Sequence, residues 1–285
     1  MIGNVIVGQS GGPTAVINSS LAGVYQTARD RGAKKVYGML HGIKGLLDRQ
    51  YVDLSQKIRS AMEIDLLKRT PSSYLGSCRY KLPDVASDKA TFEKIFAILK
   101  ELEIEYFFYI GGNDSMDTIA KLSQYAEEIK SPIRFIGVPK TIDNDLAITD
   151  HTPGFGSAAK FIASTMKEII RDGLVYDYPT VTVVEIMGRN AGWLTAASAL
   201  SKSEDCEGVD LIYLPEKPFN IDMFITRVKE ISASGKSVVI AVSEGIKLPD
   251  GRYVFELGQH ADSVDAFGHK QMSGTASFLA TKLQL

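Results

Sequence analysis

The chain has 285 residues, of which 45% are hydrophobic and 23% charged, and its formal net charge is −2. A chain of this length and composition can bury a substantial core in one large domain or two smaller ones. Because it has no excess of positive charge to attract nucleic acid, any site for a polyanion must be a local pocket. No apolar run in the sequence reaches the roughly 18 residues that span a bilayer. We therefore expect neither nucleic acid nor a membrane as a partner.

The first residues are typical of a strand rather than of a signal peptide. The two cysteines, Cys78 and Cys206, lack the spacing of metal ligands and are typical of unpaired thiols in a reducing compartment. The histidines form no local metal-binding pattern, and we assign no role to any of them: His41, His151, His260 and His269. These features together predict a cytoplasmic protein.

Apolar runs typical of buried strands alternate along the chain with stretches of helical periodicity. In chain order, the pattern predicts a strand at 4–8, a helix at 16–31, a strand at 106–110, a helix at 116–129, a strand at 134–138, a helix at 157–171, and strands at 181–186, 211–214 and 238–242. This alternation is typical of parallel sheets covered by helices. We therefore predict an α/β fold of two lobes, each with a mostly parallel sheet flanked by helices.

Turn-forming residues at 149–156, among them Pro153 and Gly154, predict a boundary between the two lobes. We assign residues 1–150 to the first lobe and residues 151–285 to the second. A cleft between lobes is a common place for a small-molecule site, so we expect the functional residues to face such a cleft.

Two polar clusters follow neighbouring predicted strands. Gly-Gly-Asn-Asp-Ser-Met-Asp at 111–117 follows one strand, and Pro-Lys-Thr-Ile-Asp-Asn-Asp at 139–145 follows the next. Carboxyl ends of parallel strands meet at one edge of a sheet, where open α/β folds bind ligands. Gly111 and Gly112 allow a ligand to approach the backbone, and the amides that open the helix from about Ser115 attract phosphate. With a cation and two carboxylates at the same edge, the clusters indicate a phosphoryl-transfer site.

The two clusters resemble the phosphofructokinase family, whose sheet carries a Gly-Gly-Asp loop and a Thr-Ile-Asp-Asn-Asp loop. Three further segments agree with the family in the same order along the chain: Ser10-Gly11-Gly12-Pro13, Met187-Gly188-Arg189-Asn190-Ala191-Gly192 and Ser243-Glu244-Gly245. The resemblance implies a glycolytic enzyme that reversibly makes fructose 1,6-bisphosphate from fructose 6-phosphate, with Mg²⁺ as cofactor. It also implies a homodimer or larger assembly. The first lobe would bind the phosphoryl donor and the second the sugar phosphate.

The resemblance assigns roles to individual residues. Asp143 corresponds to the base that accepts the sugar hydroxyl proton, and Lys140 and Asp114 complete the expected catalytic set. The expected donor-binding residues are Gly12, Arg79, Gly112 and Ser115. The expected substrate-binding residues are Thr141, Ile142, Asp143, Met187, Gly188, Arg189 and Glu244. The expected metal ligands are Asn113 and Asp145.

The identities of Asp114 and Lys140 bear on the phosphoryl donor. In the family, ATP-using members resemble this chain but carry glycine at both positions, whereas members that use inorganic pyrophosphate carry Asp and Lys. A carboxylate at the start of a helix repels the α-phosphate of ATP, and a lysine can neutralise the pyrophosphate leaving group. Singly, Asp114 is also consistent with a helix N-cap and Lys140 with a surface ammonium. The pair favours pyrophosphate, with an ATP-dependent 6-phosphofructokinase and a non-catalytic sugar-phosphate-binding regulatory subunit as alternatives.

The turn-rich segment 70–81 contains Arg79 and is open to two interpretations. By its composition it is a solvated connection. By the resemblance, Arg79 contacts the phosphates that are transferred.

Three departures from the family pattern affect these expectations. Asn113 stands where most relatives have an aspartate that contacts magnesium, and its neutral oxygen is a weaker ligand. Thr180 stands where many relatives place an arginine that acts in a neighbouring subunit. Family members also run on past the region that corresponds to Thr275, whereas this chain stops at Leu285. We therefore expect the C-terminal part of the architecture, with a basic loop for the sugar phosphate, to be missing. For the same reason, we expect weak or undetectable fructose 6-phosphate turnover by these residues alone, with pyrophosphate binding at the first lobe better preserved.

Overall fold

The computed structural model describes residues 3–258 and 274–283, so His260 and His269 lie outside the described residues. The chain divides into two compact units, Met1–Thr141 and Ile142–Leu285. The boundary therefore falls earlier than the predicted one at 150. Asn144 gives the physical reason, because its side chain accepts a hydrogen bond from Thr152 N at 2.8 Å and donates one to Asp150 O at 3.1 Å. These bonds fold the segment that follows Thr141 onto the residues that lead into the second unit's first helix.

The first unit contains eleven helices and strands within residues 3–141. In chain order they are β1 (Asn4–Gln9), α1 (Ile17–Asp30), β2 (Val36–Met39), α2 (Gly42–Leu47), β3 (Tyr51–Asp53), α3 (Leu54–Lys57), α4 (Ala61–Arg69), α5 (Lys89–Glu101), β4 (Ile104–Gly111), α6 (Asn113–Glu128) and β5 (Arg134–Pro139). The strands form one sheet in the order β3-β2-β1-β4-β5, in which β3 is antiparallel to its neighbour and the other pairs are parallel.

All six residues of β1 are buried, as expected for a strand at the centre of a sheet that is covered on both faces. On one face, α1 packs Leu21, Tyr25 and Ala28 against the sheet. On the other face, α5 and α6 enclose an aromatic cluster that includes Phe107 of β4. The predicted strands and helices of this unit agree with the observed ones, and the two-layered cover confirms the α/β prediction.

The register of the sheet aligns the carboxyl ends of three strands. Gln9 of β1 pairs with Ile110 of β4, and Gly111 of β4 pairs with Pro139 of β5. The loops that follow β1, β4 and β5 therefore lie side by side at one edge, as the sequence predicted for the last two.

The second unit contains α7 (Phe155–Gly173), β6 (Val181–Ile186), α8 (Trp193–Ala196), β7 (Leu211–Tyr213), α9 (Ile221–Ser232), β8 (Val238–Ser243) and α10 (Thr275–Leu283), with short 3₁₀ helices at Ala197–Ser201 and Val254–Leu257. Within the described residues, its strands form a parallel sheet in the order β6-β8-β7. Every residue of the central strand β8 is buried. Ile186 pairs with Ser243, so β6 and β8 end together and bring the two loops that follow them to one edge.

Hydropathy and length together determine whether a helix can cross a bilayer. None of the helices in the described parts of the chain is both long enough and apolar enough to do so.

Candidate active site

The three loops at the edge of the first sheet are joined by hydrogen bonds. Ser10 N donates to Ile110 O at 2.9 Å, and Lys140 N donates to Gly111 O at 2.8 Å. The Lys140 ammonium also donates to Gly12 O at 2.6 Å. A Cβ added at Gly11, which has φ 77°, would lie 4.0 Å from both Gly112 N and Lys140 Nζ. The glycine loop after β1, the helix start after β4 and the lysine after β5 thus form one compact surface.

Lys140 is buried, with only 7% of its surface exposed. A lysine is rarely buried unless its charge is compensated, because removing an ammonium from water is costly. This burial rules out the interpretation of Lys140 as a surface ammonium. It also concentrates a positive charge at the edge where the glycine loops lie.

Helix α6 begins at Asn113, earlier than the predicted start near Ser115, because Gly112 O already accepts bonds from Ser115 N and Met116 N. Gly112 is the N-cap residue and no side chain caps the helix. Asp114 lies in the first turn and is exposed, so it is not the N-cap. The N-terminal amides of α6 consequently offer an uncapped anion site.

Ser115 fixes the geometry of this helix start from below. Its side chain is 2% exposed, and a Cβ added at Gly111 would lie 2.0 Å from Ser115 Oγ. The hydroxyl therefore occupies the space that any larger residue at Gly111 would need. Ser115 therefore lies in the first turn of α6 and also packs against the backbone at Gly111, at the end of β4.

Arg79 lies in a loop that is attached to the same edge. The Ser77 hydroxyl donates to Gly11 O at 2.6 Å, while Leu75 and Cys78 are buried. The segment 70–81 is thus anchored and is not a freely solvated connection. Arg79 itself is exposed beside this attachment point.

Asp143 and Asp145 flank the buried Asn144 at the start of the second unit. Asp143 is half-buried and Asp145 is exposed, whereas Ile142 packs on the apolar cluster around α7. Asn144 adopts a left-handed φ of 59° and its side chain binds backbone atoms at both ends of the loop. Thr141 is the last residue of the first unit. The loop therefore holds the two carboxylates in fixed positions on either side of Asn144.

The loops after β6 and β8 are connected through Glu244 and Ser243. Gly188 N donates to Glu244 Oε1 at 3.1 Å, and the Ser243 hydroxyl donates to Gly188 O at 2.6 Å. A Cβ added at Gly245 would lie 1.9 Å from Arg189 O, so the two backbones touch. Gly188 has φ 142°, which favours glycine.

The side chains of Met187 and Arg189 are exposed on this same turn. The geometry brings together four of the residues predicted for the substrate, which are Met187, Gly188, Arg189 and Glu244.

Burial raises the pKa of Glu244 above its ordinary value of 4.5. The Gly188 N–H and the Arg189 charge act in the opposite direction, while Glu185 and Asp143 raise the pKa further. Asp143 belongs to the same unit as Glu244, and repulsion from its negative charge disfavours ionisation of Glu244. Glu244 is therefore a carboxyl group that interacts with a backbone donor, a guanidinium and the proposed base.

Two serines that the sequence analysis did not assign contribute to these sites. Ser77 ties the Arg79 loop to Gly11, and Ser243 accepts a bond from Gly245 N at 3.1 Å while donating to Gly188 O. Ser243 stands at the end of an apolar run, and a small polar residue in that position is the signal that marks it. Ser77 has no comparable signal, because it is one of several serines in a turn-rich segment.

The predicted metal ligands, Asn113 and Asp145, are side chains with oxygen atoms of the kind that magnesium prefers. Within residues 3–258 and 274–283, no group of three or more His, Cys, Asp or Glu side chains could hold a metal ion. Asn113 and Asp145 are both exposed and belong to different units. Magnesium is usually bound by one or two protein oxygens, with waters and substrate phosphates completing the shell. The exposed Asn113 carboxamide and the exposed Asp145 carboxylate each fit that mode as a single oxygen ligand.

The sequence profile of the phosphofructokinase family matches residues 4–284. The chain is 44% identical to pyrophosphate–fructose 6-phosphate 1-phosphotransferase from Rhodospirillum rubrum, over 96% of this chain and 66% of the relative. Its fold is similar to two crystal structures of pyrophosphate-dependent phosphofructokinases. The structure from Nitrosospira multiformis gives a TM-score of 0.78 with 40% identity over 87% of this chain and 62% of that one.

The structure from Marinobacter aquaeolei gives a TM-score of 0.81 with 37% identity over 99% of this chain and 65% of that one. The chain thus spans just under two thirds of the length of these relatives. The profile match and the identities agree with the motifs from which the resemblance was drawn. The chain belongs to the phosphofructokinase family.

Proposed function

We propose that this chain acts as a pyrophosphate-dependent phosphofructokinase. It would transfer a phosphoryl group from pyrophosphate to the C1 hydroxyl of fructose 6-phosphate, giving fructose 1,6-bisphosphate and phosphate, and would run in both directions. The observation that carries the proposal is the buried Lys140 ammonium, bonded to Gly12 O at 2.6 Å beside the uncapped start of α6. The relatives named above support it, because their names state this activity.

The donor site of the proposal is the edge of the first sheet. Backbone amides at Gly112 and the first turn of α6 would bind one phosphate, and Ser115 would keep that turn in place. Lys140 would neutralise the charge that develops on the leaving phosphate. Gly12 would let pyrophosphate approach the backbone, since a Cβ there would have no atom within 4 Å. Arg79 would bind the phosphates as a charged donor.

Asp114 would favour pyrophosphate over ATP as the donor. Its carboxylate is exposed in the first turn of α6. The α-phosphate of ATP would need an uncharged or a cationic group at this place. Two negative charges about 4 Å apart repel by about 1 kcal/mol in bulk water and by about 4 kcal/mol near a protein surface, and the exposure of Asp114 favours the lower value. Pyrophosphate has no third phosphate to place there, so the repulsion is specific to the nucleotide.

Asp143 would act as the base of the transfer. As a carboxylate on a loop held by Asn144, it would accept the proton of the C1 hydroxyl group while the oxygen of that group attacks the phosphorus, and the bond to the leaving phosphate breaks. Glu244 and the turn at Met187, Gly188 and Arg189 would bind the sugar phosphate, with Arg189 supplying positive charge. Thr141 and Ile142 would also contact the sugar phosphate.

Magnesium would be held by Asn113 and Asp145 together with the phosphates of the substrate. When bound, it supplies positive charge to the phosphoryl group in transfer. The neutral Asn113 oxygen makes it a weak ligand, so phosphate oxygens would contribute most of the coordination.

The proposal includes a cytoplasmic location and a homodimer or larger assembly. The cytoplasm supplies fructose 6-phosphate, and both cysteines are unpaired thiols, as expected in a reducing compartment. Because Thr180 is neutral, a neighbouring copy of this chain would bring no charge to the sugar-phosphate site from this position.

The test is a coupled assay of fructose 1,6-bisphosphate formation by the purified chain, with fructose 6-phosphate, Mg²⁺ and either pyrophosphate or ATP. Product formation with pyrophosphate and not with ATP is the expected result. Product formation with ATP alone would support the ATP-dependent alternative. Binding of fructose 6-phosphate without turnover on either donor would support the regulatory alternative. The Asp143→Ala variant controls for a contaminating activity.

A further inference from the structure

Two buried carboxamides lie beneath the donor site. Gln9, the last residue of β1, and Asn18, in the first turn of α1, are 0% and 1% exposed. The Gln9 amide donates to Asn18 Oδ1 at 3.0 Å and to Ile17 O at 3.1 Å. The pair therefore links the end of β1 to the start of α1 inside the first unit.

The same two side chains reach across to the segment that contains Arg79. Gln9 Oε1 accepts from Leu75 N at 2.8 Å and lies 3.0 Å from the Ser73 hydroxyl. Asn18 Oδ1 accepts from Tyr74 N at 2.7 Å, and its amide donates to Thr70 O at 2.9 Å. Every donor and acceptor position of the Gln9 carboxamide has a neighbour of the right type. Only a neutral amide can donate and accept in this way, since a carboxylate accepts alone.

The network ends a few residues before Arg79. Beyond Leu75, the chain is attached again where the Ser77 hydroxyl donates to Gly11 O at 2.6 Å. Arg79 therefore follows a segment whose backbone is held at Thr70, Tyr74 and Leu75 by side chains of β1 and α1. The glycine loop of the donor site connects these same two elements.

We propose that Gln9 and Asn18 are positioning residues that hold Arg79 for the phosphates of pyrophosphate. This inference rests on the proposed function and adds the residues that order its charge clamp. An arginine on a loose loop would have to be ordered when the ligand binds, and that ordering weakens binding. Buried hydrogen bonds that order the loop beforehand remove the cost. Loss of the network should therefore weaken pyrophosphate binding through Arg79, while Lys140 and the sugar-phosphate site remain unaffected.

The first measurement is amide hydrogen exchange at Tyr74 and Leu75, which needs no ligand. We expect exchange to become at least about tenfold faster in Gln9→Met and Asn18→Leu, which keep the side-chain size and lose the hydrogen bonds. Asn4→Leu is the matched control. Asn4 is a carboxamide of the same strand, 6% exposed, whose amide donates to Leu102 O at 2.8 Å at the opposite end of β1. Unchanged exchange in the Gln9 and Asn18 variants would overturn the anchoring.

The second measurement is a double-mutant cycle on the dissociation constant of pyrophosphate. Arg79→Met should weaken binding by about 10-fold or more in the wild-type background, the effect of losing one charge-assisted bond. In the Gln9→Met background, the same substitution should change binding by less than about 3-fold, because Arg79 is no longer held in place. The fructose 6-phosphate dissociation constant should not change in any of these variants, nor should pyrophosphate binding in Asn4→Leu.

Additive effects of Gln9→Met and Arg79→Met would contradict the inference, as would an equal loss of affinity for both substrates, which indicates a merely structural role. Failure of the proposed function has a different signature. In that case the wild-type chain would not bind pyrophosphate at all, and the exchange experiment would still report whether the two carboxamides anchor the loop.

Discussion

The carboxyl edges of the two sheets are built from the same kinds of parts and present opposite charges. At the first edge, the buried Lys140 ammonium donates to Gly12 O, and the first amides of α6 have no side-chain cap. At the second edge, the group in the corresponding position is the Glu244 carboxyl, bonded to Gly188 N. The first edge suits an anion. The second suits hydroxyl groups, because a carboxylate accepts their hydrogen bonds. Arg189 supplies the positive charge for a phosphate.

This difference shows that glycine-rich turns at strand ends do not determine the ligand. Gly111 and Gly245 each bring a loop within contact of its neighbour, and a Cβ at either position would overlap another atom. In the proposed function, the ligand preference comes instead from the charged side chain beside each turn, which is buried for Lys140 and half-buried for Glu244. The positive charge of Lys140 favours an anion, and the negative charge of Glu244 favours hydroxyl groups.

The largest expected effect concerns Asp143, the proposed base. Asp143→Ala should lower kcat by about 10²- to 10⁴-fold with little change in either KM, since general-base catalysis acts in the transition state. Steady-state kinetics in the forward direction measure this. Asp177→Ala, at an exposed position outside the proposed sites, is the control. Turnover within a factor of three of wild type would remove Asp143 from the mechanism.

The next effect tests the cationic edge directly. Lys140→Met should reduce pyrophosphate-dependent kcat by about 10²- to 10³-fold, the range for one lost electrostatic donor. The fructose 6-phosphate dissociation constant should stay the same. Lys130→Met, at an exposed position, should behave as wild type. An equal loss of affinity for both substrates would instead indicate that Lys140 supports folding.

Two glycines of the first edge separate packing from ligand access. Gly111→Ala should lower stability by about 1–3 kcal/mol, because its Cβ would lie 2.0 Å from Ser115 Oγ. Gly12→Ala should leave the melting temperature unchanged, because no atom lies within 4 Å of its Cβ, yet raise the KM for pyrophosphate. Thermal unfolding and kinetics of both variants make the comparison. Gly23→Ala, also with open space at its Cβ, should leave the KM unchanged.

A smaller effect is expected for donor choice. Asp114→Gly should increase ATP affinity by about 10-fold, since it removes a like charge from the start of α6. Pyrophosphate turnover should be lost when Lys140→Gly is added to this variant. Isothermal titration calorimetry with ATP gives the affinity. No gain for Asp114→Gly would show that another feature excludes the nucleotide.

The smallest effect is a pH dependence at the second edge. The folded-state pKa of Glu244 is raised above the ordinary 4.5, so its contribution to stability is full below pH 4.5 and is lost as the pH rises through the folded-state pKa. Glu244→Gln does not titrate. Its unfolding free energy minus that of wild type should therefore increase with pH across this window, as chemical denaturation would show. A difference that is constant with pH would contradict the assignment.

Much of the first unit could be predicted from the sequence because its key strands are continuous apolar runs. The segments 4–8, 106–110 and 134–138 are recognisable from hydropathy alone, and their order implied a shared edge. Helix α5 was also accessible, since Asp88 caps it and Phe92, Ile95 and Leu99 follow a helical spacing, yet it was not assigned. The strands β2 and β3 are short and contain few residues on which a period can be measured.

The parts that could not be predicted depend on contacts between distant residues. Lys140 is buried because it meets Gly12 O, which lies 128 positions earlier in the chain. The Arg79 segment is anchored by Gln9 and Asn18, which lie more than 50 positions away from the atoms they bind. A local pattern contains no trace of such pairs. The unit boundary at Thr141 likewise depends on Asn144 binding Thr152, which turn composition does not reveal.

The most direct test of the account is a calorimetric titration of the 285-residue chain with pyrophosphate and with ATP, each with Mg²⁺, in parallel with Lys140→Met. We expect that wild type binds pyrophosphate, that ATP binds at least about 10-fold more weakly, and that Lys140→Met binds pyrophosphate at least about 10-fold more weakly than wild type. Tighter binding of ATP than of pyrophosphate, or pyrophosphate binding that does not change in Lys140→Met, would contradict it.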